Sequence, residues 1–147
     1  MKPEVKNKFV EALRSGDYKQ TSGALHLKGD GYCCLGVLCS LAEAEGVVTL
    51  ANSRGSSYTI YQAVNDSNDA STTALPEAVA EWAGIEITDK ENKVSALDSL
   101  WREIPLPTPV VIEREDSVEV TLDTLMALND TGNFTFNQIA DIVEEQF

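Results

Sequence analysis

Arg14, Tyr18, Lys19, Gln20 and His26 fall within one short segment and supply a planar cation, an aromatic face, an ammonium, an amide and an imidazole. Gly16 and Gly23 lie among them and loosen the backbone. That set suits a phosphate joined to a base. Charge-assisted bonds to phosphate contribute roughly 1.5–3 kcal/mol each, and base–aromatic stacking roughly 1–3 kcal/mol. Arg14, Lys19 and His26 are predicted to hold phosphate, with Tyr18 stacking on a base. A second polar segment, Asn129-Asp130-Thr131-Gly132, could supply the lip of such a pocket. There Asn129 and Asp130, with Gln20, would read a ribose hydroxyl or a base edge. The same four residues also read as an ordinary turn between two helices, where Asn and Asp bond their own backbone. Arg14 has a simpler reading as well, closing a helix whose dipole favours a cation there.

Cys33, Cys34 and Cys39 lie within seven residues, and His26 is the one histidine. They form no Cys-x-x-Cys pair and no second ligand cluster, so neither a metal nor a cofactor is expected. An odd number of closely spaced cysteines also argues against a secreted disulfide framework. Cys33 or Cys34 paired with His26 across a hairpin would make a nucleophile, which keeps a Cys/His enzyme as an alternative. Free cysteine in an apolar run is more often core. A non-enzymatic role is therefore expected. Gly36 reads as a close backbone contact, because the spacing and the Lys-Ser/Thr pair of a phosphate loop are missing.

Charge narrows the classes further. The chain carries a formal net charge of −13 over 147 residues. Residues 1–32 hold six basic groups against four acidic, and the remainder five against twenty. Direct nucleic-acid binding is disfavoured, since it relies on many phosphate contacts. A solvated acidic surface fits, and so does mimicry of nucleic-acid charge. No run approaches the ~18 apolar residues of a membrane span, and the N-terminus does not read as a signal peptide. A soluble cytoplasmic protein without membrane partners is expected.

These residues need positioning. Val5, Phe9, Val10 and Leu13 recur at helical spacing over 3–14, with Pro3 in the first turn and Gly16 as a stop. Residues 24–27 alternate as a strand, 28–31 form its turn, and Tyr32 and Cys33 return. A mostly buried helix follows and ends near Gly46. The polar, turn-rich stretch 47–73 is expected as a flexible loop or insertion around a short strand, 58–61. A short helix opens at Leu75-Pro76 and stops at Gly84. Pro105, Pro107 and Pro109 suggest an extended connection, and 110–112 with 118–120 a hairpin. A short helix over 122–128 precedes the last one, where Thr135 and Gln138 make a capping box and Phe134 staples onto Ile139. The whole reads as one α+β domain, 1–147, with a small antiparallel sheet packed against several helices.

Several of these segments together resemble a recurrent family of small uncharacterised bacteriophage and prophage proteins. The matching pieces are Ala12-Leu13-Arg14-Ser15-Gly16 with Tyr18 and Gln20, and Cys33-Cys34-Leu35-Gly36-Val37-Leu38-Cys39. Leu75-Pro76 through Trp82-Ala83-Gly84 also match, as do Leu128-Asn129-Asp130 with Gly132 and Phe136 through Ile142. Thr21 departs from the pattern, which has glycine there. The resemblance implies a phage origin and brings no catalytic residues with it. By analogy with phage proteins that counter host immunity, the expected function is an anti-defence protein that sequesters a small anionic, nucleotide-like immune signal, with a homo-oligomer as the expected assembly. The alternative is an acidic protein–protein inhibitor of a host defence enzyme.

Overall fold

The computed structural model describes residues 1–51, 55–85 and 122–147, with side chains in the last stretch from Leu125 onward. Helix α1 spans Pro3–Arg14 and buries Val5, Phe9, Val10 and Leu13, the stripe its spacing predicts. Strands β1 (His26–Leu27) and β2 (Gly31–Tyr32) pair antiparallel, with His26 opposite Tyr32. Helix α2 (Cys34–Ala44) comes next and buries Cys34 through Cys39 without a break. It touches α1, α3, α4 and β3, so it is the post around which the molecule is built. Gly36 makes that burial possible: a Cβ there would lie 1.6 Å from the Leu25 carbonyl oxygen. Only a residue without a side chain allows the helix so close.

Residues 47–73 depart from the loop expectation. They carry a three-stranded antiparallel sheet of β3 (Val48–Ala51), β4 (Ile60–Ala63) and β5 (Ala70–Ser71), in the order β3-β4-β5. Its inward side chains are few, chiefly Val48, Tyr61 and Ala63. That leaves too little alternation for the sequence to announce it. Thr59 N–H donates to the His26 carbonyl at 3.0 Å and Lys28 N–H to Ser57 at 2.8 Å, joining the two sheets. The antiparallel pairing expected of one sheet is thus divided between two.

Helix α3 (Glu77–Ala83) ends on Gly84 at φ 68°, a left-handed stop. Helix α4 (Leu122–Asp130) and helix α5 (Phe136–Gln146) complete the described elements. The α5 capping box is present in both directions between Thr135 and Gln138. α5 lies against α1, burying Phe136, Ile139, Ala140 and Val143 into the same core. Five helices with two small sheets make the described fold α+β. The proline-rich connection and the 110–120 hairpin fall outside the described residues. No helix among the described residues is long and apolar enough to cross a membrane.

Candidate functional site

Tyr32 organises the predicted cluster. The His26 ring stacks on it at 4.0 Å between centroids and 4° between planes, and Tyr18 meets it edge-on at 5.1 Å. Tyr32 N–H donates to the Lys19 carbonyl, and Gln20 forms an isolated bridge with Tyr32. Gln20 in turn reaches Asn129, which bonds Asp130. Six of the seven predicted residues therefore belong to one connected network. Arg14 does not join it through any described bond; it binds Asp141 at 2.5 Å and Glu144 at 2.8 Å, clamping α1 to α5.

Within the network, the polar atoms are already committed. Asn129 is 2% exposed. Its Oδ1 accepts from Gln20 Nε2 at 3.1 Å and from Cys34 N–H at 3.2 Å. Its Nδ2 donates to the Thr21 carbonyl at 2.8 Å and to Asp130 Oδ1 at 3.0 Å. A primary amide has two donor hydrogens and two acceptor sites, so Asn129 is saturated. Gln20 Nε2 also donates to the Phe134 carbonyl, and Gln20 Oε1 accepts from Phe136 N–H. Asp130 Oδ1 accepts from Gly23 N–H as well. The amides fasten the α4–α5 turn to the start of α2, and Asn129 and Asp130 serve this clasp.

The cations are similarly engaged. Lys19 pairs with Asp30 at 2.9 Å, and that ammonium, with the Thr21 hydroxyl, holds the Asp30 carboxyl below its ordinary range. His26 Nδ1 lies 2.8 Å from the Thr59 hydroxyl, itself buried. Burial, then the charge of Lys28, pushes the imidazole below its usual value. His26 is accordingly a mostly neutral ring at pH 7 and brings little charge to a phosphate.

The Cys/His arrangement also differs from its expectation. The residue opposite His26 is Tyr32, and Cys33 is instead the N-cap of α2, its sulfur accepting from Gly36 N–H at 3.3 Å. Burial raises the Cys33 thiol to about 11 and holds those of Cys34 and Cys39 well above the ordinary range. A nucleophilic cysteine needs the opposite shift. Among the described residues, no group of three His, Cys, Asp or Glu side chains could hold a metal.

A concave site lies elsewhere. A cleft of about 640 Å³ is lined by Asn65, Asp66 and Asp69 from the β4–β5 turn and by Glu77, Ala78, Glu81 and Trp82 from α3. Gly46, Val47 and Ala63 close its base. Asp69 ties two of these walls: its carboxylate oxygens accept from Glu77 N–H at 2.9 Å and Ala78 N–H at 2.8 Å, capping α3 across the gap. Trp82 is half-buried. Four carboxylates and one indole around a hollow favour a cation.

The whole chain, residues 1–147, matches the family model described as Domain of unknown function (DUF8296). The chain belongs to that family. No curated protein and no solved structure matches it. In this DUF8296 member the acid-lined cleft drew no signal from sequence, because its two walls are 17 residues apart at their extremes, from Asn65 to Trp82, within a plain polar stretch. One cue was present: Asp66 and Asp69 flank a turn shortly before Glu77 and Glu81, which stand one helical turn apart.

Proposed function

We propose that this protein is an acidic binding module that engages a basic segment of another protein. The observation that carries the reading is the cleft, lined by Asp66, Asp69, Glu77, Glu81 and Trp82, on a chain of net charge −13. A concave surface of one sign concentrates its field and draws oppositely charged partners toward it. In the phage setting that the sequence resemblance implies, the partner would be a host defence enzyme with a basic surface, and occupancy would inhibit it.

Sequestration of a nucleotide-like anion draws less support. Asn129 is saturated, Gln20 is largely so, and the Arg14 and Lys19 side chains sit against carboxylates. Exposed ion pairs are weak and can exchange, but a phosphate would have to displace Asp141, Glu144 and Asp30 separately. Calorimetric titration against a basic peptide, alongside cyclic di- and trinucleotides and ADP-ribose derivatives, tests the choice. Saturable binding of the peptide with silence from the nucleotides is expected. The reverse pattern would replace this reading with anion capture.

A further inference from the structure

The cleft contains an aromatic residue whose placement is fixed before any ligand arrives. The Trp82 carbonyl accepts from Lys2 Nζ at 2.7 Å, and the next carbonyl, Ala83, accepts from Lys2 N–H at 2.8 Å. The Trp82 side chain lies within electrostatic reach of the Glu45 carboxylate and helps to lower its pKa. Glu45 is in turn ion-paired with Lys8 on α1, which keeps its carboxyl below the ordinary range. The backbone that carries the ring is therefore held from the start of α1. Trp82 packs partly against the core and also lines the cleft, remaining half-buried. An aromatic anchor ordered in advance loses little freedom on binding.

Carboxylates line the same cleft from two elements, Asp66 on the β4–β5 turn and Glu81 on α3. Asp69, committed to the amides that begin α3, keeps those elements together. We propose that the cleft selects an arginine side chain, its guanidinium laid against Trp82 and paired with Asp66 and Glu81. This rests on the acidic-module reading above and specifies its partner's chemistry. A guanidinium is planar, weakly hydrated and able to stack on an indole while its edge donates to carboxylates. The compact, strongly hydrated ammonium of lysine fits the charge but gains less from the ring.

The test uses the full chain carrying Trp101→Phe, which leaves Trp82 as the sole indole. Hexaarginine and hexalysine peptides are titrated by Trp82 fluorescence and by calorimetry. Hexaarginine is expected to perturb Trp82 saturably and to bind roughly threefold or more tighter than hexalysine. Trp82→Leu, read by calorimetry, should erase that preference, and Trp82→Tyr should retain most of it, which separates lost stacking from lost folding. Equal affinities for the two peptides, or a preference unchanged in Trp82→Leu, would overturn the arginine assignment and leave the acidic-module reading standing. No binding of either peptide to the parent chain would overturn both.

Discussion

Replacing Asn129 with alanine removes the centre of the clasp without touching the cleft. The amide makes four hydrogen bonds, and its loss leaves the Cys34 N–H buried without that acceptor and the Thr21 carbonyl without its Nδ2 donor. A buried polar group left unsatisfied costs about 1–3 kcal/mol. Cys34 sits in the interior at the first turn of α2, whereas Thr21 is half-buried. Gln20 Nε2 retains the Phe134 carbonyl and suffers less. The sum is about 3 kcal/mol, which for a chain of this size lowers Tm by roughly 6–12 °C. Thermal and urea unfolding followed by circular dichroism measure it, with an unchanged m-value showing that the same surface is exposed. Asn129→Asp should fare no better, because it discards both donors and sets a second carboxylate beside Asp130. Binding of basic peptides below the new Tm should persist. An Asn129→Ala chain within about 0.5 kcal/mol of the parent, or one equally stable but unable to bind a nucleotide that the parent binds, would refute the assignment of this residue to architecture.

Other consequences follow from the same contacts. Gly36→Ala should destabilise by about 3 kcal/mol, since a Cβ so close to the Leu25 oxygen forces α2 away from the backbone that leads into β1 and overrides the ~1 kcal/mol of helix propensity gained; chemical denaturation reads it. His26 titrates below its ordinary value in the folded chain. The unfolded chain therefore takes up the proton first, and stability should fall as pH drops from about 6.5 through the lower folded value, then level. NMR of the lone imidazole locates that value, and a folded value above 6.5 would contradict the burial argument. With the Cys33 thiol raised to about 11 and those of Cys34 and Cys39 well above the ordinary range, a disulfide reagent at pH 8 should modify the folded chain roughly 10²-fold more slowly than a short cysteine peptide. Arg14→Ala should leave the thermal midpoint nearly unchanged despite its two partners, because that pairing is exposed.

Much of the helical frame was legible because each helix announces itself locally. The stripe Val5, Phe9, Val10, Leu13 marked α1, and Thr135 with Gln138 marked the start of α5 through a capping box that is present. The His26–Tyr32 hairpin was legible to within a residue or two from its glycine turn. The 48–71 sheet was not. Its strands are two to four residues long, and what holds them is register and the capping of α3 by Asp69, neither of which leaves a periodic trace. Site reading met a related difficulty. Gln20, Asn129 and Asp130 carry the side chains a ligand pocket would need, and a buried clasp needs the same ones. Sequence identifies the donors and acceptors, while only the fold identifies their partners. The cleft stayed hidden because exposed acids on a strongly acidic chain resemble solvated surface until a turn and a helix bring them around an indole.

Dependence of the hexaarginine Kd on ionic strength, measured for the parent chain and for Asp66→Asn/Glu81→Gln, bears most directly on the acidic-cleft reading. Between about 0.05 and 0.5 M salt, where screening shortens from beyond the cleft to within it, the parent should weaken steeply, and the double variant should bind less tightly with a shallower slope. Identical Kd values and slopes for the two chains would show that the peptide binds somewhere other than this cleft.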